Sequence, residues 1–71
     1  MDKTELAKLE RYMRRTFANQ ALRVAARPKK SDSAEVYVGQ EFIGVISVDD
    51  EDGDRSFNFA MAILAEDLQD S

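Results

Sequence analysis

The residues able to do chemistry are few in kind. Fourteen Asp and Glu and ten Lys and Arg supply the charge in 71 residues, with no histidine and no cysteine. The commonest general base and the most nucleophilic side chain are therefore missing. Disulfides and thiolate metal sites are excluded as well. The carboxylates cluster in polar stretches, which do not tune them for acid–base work. Ser31, Ser33, Ser47 and Ser56 have no base partner identifiable from the sequence. Gly39, Gly44 and Gly53 lack the spacing of a phosphate-cradling loop. The expectation is a protein that is not an enzyme, with no catalytic, cofactor or metal residues.

Two charged stretches invite a binding role. The loop VDDEDGDRSFNF, 48–59, resembles a calcium loop when Gly53 takes its sixth position, because Asp50 and Asp52 then fall at three and five. Val48 stands at position one, however, and Phe59 stands where a bidentate Glu is required. Residues 49–54 therefore read as a solvated hairpin loop. Arg11, Arg14, Arg15, Arg23, Arg27, Lys29 and Lys30 could form a basic surface for phosphate. No aromatic residues interleave them for base stacking. A regulator that binds nucleic acid through Arg14, Arg15, Arg23, Arg27, Lys29 and Lys30 is the second functional reading, and nucleic acid is the less favoured partner.

The elements that position these groups follow from periodicity. Residues 3–18 carry Leu6, Leu9, Met13 and Phe17 at near-helical spacing, with Ala7 and Tyr12 at the flanks. Asp2 is the expected N-cap, with Glu5 completing a box-like pair. Glu10–Arg14 is an i,i+4 pair, and Asn19-Gln20 a plausible stop. Residues 21–27 alternate, with Leu22, Val24 and Ala26 inward, and Pro28 ends that strand. Residues 28–32 read as a polar turn.

The stretch AEVYVGQEFIGVISV, 34–48, reads as a hairpin about a two-residue type II′ turn at Gly39-Gln40. Val38 then faces Glu41, Tyr37 faces Phe42, Val36 faces Ile43, Glu35 faces Gly44 and Ala34 faces Val45. One face carries Ala34, Val36, Val38, Ile43 and Val45, and the other Tyr37, Phe42, Ile46 and Val48. A three-residue loop with a Gly bulge would shift this register by one. Gly44 marks a bulge or leaves room beside Tyr37 and Phe42.

Asp52-Gly53 is a turn dipeptide. Residues 56–64 alternate and favour a strand, and 65–71 form an acidic tail with one helical turn at most. The expected fold is a single α+β domain over residues 1–71, α-β-β-β-β, one helix on a four-stranded antiparallel meander. With 56–69 helical it becomes α-β-β-β-α, the order of double-stranded-RNA-binding domains. The lysines those domains place at the second helix are replaced here by Asp52-Gly53-Asp54-Arg55-Ser56. One helix covers one sheet face, so Tyr37, Phe42, Ile46 and Val48 are the candidate interaction face, for an unknown protein partner or a second copy.

Charge is split along the chain: residues 1–30 are net +6 and residues 31–71 net −10. That split suits internal complementarity, head-to-tail association or an anionic partner. No apolar run approaches the ~18 residues of a membrane span, and no signal-peptide core is present. No membrane role is expected, and the cytoplasm is the expected location. Residues 1–17 with the run from Ala26 to Leu68, above all EFIGV and DDEDGDRSFNF, resemble a short uncharacterised bacterial family, a domain of unknown function, over essentially the whole chain. The resemblance implies a stand-alone cytoplasmic bacterial protein and transfers no functional residues. The functional expectation is a small protein–protein interaction or adaptor module, self-associating through one sheet face.

Overall fold

The computed structural model describes every residue except Asp52, Asp70 and Ser71, so the expected Asp52-Gly53 turn and the end of the acidic tail lie partly outside the described residues. Helix α1 spans Lys3–Thr16 and is followed by strands β1 (Leu22–Arg27), β2 (Lys30–Val38), β3 (Glu41–Asp49) and β4 (Ser56–Ala60). A single 3-10 turn follows at Ala65–Leu68. The strands form one antiparallel sheet in the order β1-β2-β3-β4, the expected helix-plus-meander fold.

Local chemistry explains the helix ends. The Asp2 carboxylate accepts from the Glu5 N–H at 2.8 Å, which satisfies one free donor of the first turn. Glu5 does not return the bond to Asp2; its carboxylate goes to Arg55 instead. Arg14 and Arg15 sit in the last turn, where the helix dipole favours cations. The stop comes earlier than Asn19-Gln20 predicts. Thr16 is the last helical residue, and Ala18 takes the left-handed conformation at φ 52°. Asn19 turns the chain by accepting the Ala21 N–H at 2.9 Å.

The hairpin between β2 and β3 follows the expected register for only two pairs. Among the described residues Gly39 has φ 62° and Gln40 is not in the positive region, in keeping with a type II′ turn. Val38 pairs with Glu41 and Tyr37 with Phe42. Ile43 is then an extra residue. Val36 pairs with Gly44, Glu35 with Val45 and Ala34 with Ile46. The bulge lies inside β3, not at the turn where the alternative reading placed it.

Its physical reason is burial. In the unbroken register Val45 and Ser47 would face the helix while Ile46 faced water. The extra residue turns Ile46 inward, at 1% exposure, while Ile43 also packs against the core. The exchange sets Ile46 and Val48 inward in place of Val45 and Ser47. The gain is one methylene and most of a Val side chain, worth about 2 kcal/mol, against the ~0.5–1.5 kcal/mol of a ladder hydrogen bond lost at the bulge.

The core is small: Met13 of α1, Leu22, Val36 and Ile46, with Leu9, Val24, Ile43 and Phe57 packed around them. Two strands differ in length from expectation. Strand β2 begins at Lys30, because the turn closes in two residues, Pro28 and Lys29. Strand β4 ends at Ala60, not Leu64, since its next partners on β3 are the bulge residues and the ladder stops there.

Candidate functional site

The four residues expected to form one apolar face are divided by the bulge. Ile46 lies in the core, and Val48, two residues on, shares its side of the sheet and pairs with Phe57. Tyr37 and Phe42 lie on the opposite, outer face, ring centroids 5.7 Å apart, edge to face. The Arg23 guanidinium lies 5.0 Å from the Tyr37 ring centroid and donates twice to the Gly39 carbonyl, at 2.9 and 3.0 Å. The Tyr37 hydroxyl donates to Glu35 at 3.0 Å, which raises its pKa above the ordinary phenol value. Ser47 and Asn58 occupy the same outer side. With these polar neighbours it reads as an ordinary mixed surface.

The basic residues are divided as well: Arg27, Lys29 and Lys30 line one shallow concavity with Pro28 and Glu35, while Arg14 and Arg23 are engaged by backbone carbonyls. Arg14 donates to the Leu22 carbonyl at 2.8 Å and lies 3.6 Å from Glu10. Arg23 is held by the Gly39 turn, and Arg27 donates to Ser33 at 3.4 Å. Arg15 stacks over Tyr12 at 5.6 Å. Lys29 and Lys30 stand at the β1–β2 turn, distant in sequence from the helix. The acidic loop places Asp50 3.7 Å from Arg55, while Asp52 lies outside the described residues. Among the described residues no three carboxylates are grouped to hold a metal ion.

The structure instead opens a groove on the helix side. Helix α1 packs chiefly on β1 and Met13 reaches Ile46 of β3 in the core, while β4 on the same face is left more open. The resulting space, about 390 Å³, is lined by Leu9, Tyr12, Thr16 and Phe17 along the helix and by Ile46, Phe57 and Phe59 on the sheet. Phe17 and Phe59 meet edge to face at 6.4 Å across one end. Tyr12 and Phe17 remain more than half exposed, at 57% and 55%. Arg55 donates to both Glu5 oxygens at 2.8 Å, tying the start of α1 to the β3–β4 connection. Those bonds hold the Glu5 carboxyl below its ordinary pKa and raise that of Arg55.

Gly44 permits this wall to form. A Cβ there would come within 2.4 Å of the Ala60 carbonyl oxygen and 2.7 Å of the Phe59 ring. The expected room is therefore real, but it belongs to β4 rather than to Tyr37 and Phe42. The helical spacing puts Phe17 on the apolar stripe and Tyr12 at its flank, yet both stand exposed at the groove. The available signal was the width of that stripe, which exceeds what one small sheet can cover on both sides.

The site is an apolar concavity beside a sheet edge on a helix-plus-meander scaffold. Residues 5–67 match the family described as a protein of unknown function, DUF3126, and the chain belongs to that family. No curated protein and no solved structure matches it.

Proposed function

We propose that this chain is a protein-interaction module that receives apolar side chains of another protein chain in the groove between α1 and β4. The carrying observation is the aromatic lining itself: Tyr12, Phe17 and Phe59 stand exposed around one concavity instead of being scattered. Among the described residues the lining supplies only the hydroxyls of Tyr12 and Thr16 as polar side-chain groups, which favours binding over catalysis. The arginines spent on backbone carbonyls and carboxylates weigh against a phosphate-binding surface. Among the described residues no helix is long and apolar enough to cross a membrane. A bacterial cytoplasm is the setting we favour, since a cysteine-free chain needs no oxidising compartment.

The test is a photo-crosslinking side chain at position 12, with position 47 on the outer face as control, expressed in the native host. A discrete adduct from position 12, absent from position 47, is expected. Equal labelling from both positions, or none from position 12, would overturn the reading.

A further inference from the structure

The two edges of the sheet are treated differently. At the β1 edge, the Val24 N–H donates to Glu10 at 3.0 Å and the Leu22 carbonyl accepts from Arg14 at 2.8 Å. The outer edge, β4, has no comparable side-chain partner among the described residues. The residues from Ser56 to Leu64 contain no charge and no proline, so the usual devices that blunt an edge strand are missing. The apolar groove opens at this same edge, and Met61, 51% exposed, continues from the strand.

We infer that β4 is a dimerisation edge, at which a second copy of this chain adds its own β4 in antiparallel pairing. The inference rests on the groove reading above and names the partner. A twofold pairing that uses the whole strand Ser56–Ala60 centres on Asn58, which sets Phe57 of one copy against Phe59 of the other. Antiparallel pairing about an axis normal to the sheet keeps equivalent faces on one side. Both α1 helices then lie on the same side of an eight-stranded sheet, and each groove gains a wall from the other copy.

Charge and area agree with this occupant. The apposed strands bring no like charges together, and the flanking Arg55 is already neutralised by Glu5 and Asp50. At the exposures of Tyr12, Phe17, Phe59 and Met61, these four side chains offer on the order of 400 Å² of apolar surface per copy. The strand backbone and the segment after Ala60 add to this, toward the ~800 Å² per partner of a standard interface.

The chain has no cysteine, so single cysteines report cleanly. Sedimentation of the full chain up to about 100 µM is expected to show a reversible dimer. Asn58→Lys, which sets two cations against each other at the axis, is expected to weaken it by about 30-fold or more with the circular dichroism unchanged. Asn58→Cys is expected to form an intermolecular disulfide on mild oxidation. Ser47→Cys is expected to form none, since it lies one strand in from each edge, so its copies are three strand spacings, roughly 14 Å, apart, and bridging needs ~7 Å or less between Cα atoms. A monomeric wild type, or equal crosslinking of the two cysteine variants, would overturn the inference. If position 12 then still captures a different protein, the groove reading survives; if it captures nothing, both fail.

Discussion

Strand β1 and strand β4 are both edge strands of the same sheet, yet only β1 is closed. On the β1 side, α1 contributes Glu10 and Arg14 one turn apart, and each takes a backbone group that would otherwise face water. Met13 on the same helix buries against Leu22 below them. On the β4 side the helix turns Tyr12 and Phe17 toward the strand without covering it. The contrast teaches that one fourteen-residue helix cannot cover a four-stranded sheet. Where it lies, stability is built; where it does not, surface is left for a partner.

The comparison is most strongly broken from the closed side. Leu22→Ala empties a position that is 2% exposed beneath α1 and is expected to destabilise by about 2–5 kcal/mol, enough to unfold a domain this small. A urea titration followed by circular dichroism measures it, and a loss under 1 kcal/mol would place the core elsewhere. Next in size is Gly44→Ala. Its new methyl meets backbone at Ala60 as well as the Phe59 ring, so β4 must move, at an expected ~1–3 kcal/mol. The same variant should shift the amide resonances of residues 57–60 more than those of β1.

Glu10→Ala sharpens the contrast between edges. It removes the acceptor of the Val24 N–H, and a loss of about 1–2 kcal/mol is expected. Aggregation on storage should rise, because the Val24 N–H of the β1 edge is left free to pair with another chain. By comparison Asn58→Lys should alter monomer stability by less than ~0.5 kcal/mol, so equal losses from the two variants would remove the distinction.

The smallest effect is at the exposed Glu5–Arg55 bridge. The Glu5 carboxyl has a depressed pKa in the folded chain, chiefly through the hydrogen bonds from Arg55. Its contribution is therefore fully present above the ordinary carboxylate range and is lost as pH falls through the depressed folded value. Arg55→Gln should lower the thermal midpoint slightly at neutral pH. The gap to wild type should close on acidification, and a gap that widened would show the sign to be wrong.

Much of the fold was legible in local patterns. The spacing of Leu6, Leu9 and Met13 specifies the helix, the Asp2 cap its start, and Gly39-Gln40 the turn that sets Tyr37 against Phe42. The alternation read as a strand over 56–64 holds for 56–60, where Phe57 and Phe59 point to one side while Asn58 points to the other. The candidate face was not legible as drawn. Its grouping of Tyr37 and Phe42 with Ile46 and Val48 assumed an unbroken ladder, and a single extra residue reverses every side chain beyond it.

The sequence by itself determined the element order, the antiparallel meander, the separation of charge and the poverty of catalytic groups, all of which follow from composition, short-range spacing and turn chemistry. Only the tertiary structure decided which residues share a face. The bulge at Ile43 depends on Ile46 gaining burial in the core with Met13 of α1, and on Gly44 admitting Phe59 from a strand farther along the chain. These are contacts between distant segments, whose energies exceed the preference of any local ladder. The same placement of the helix over β1 leaves the groove and the β4 edge uncovered.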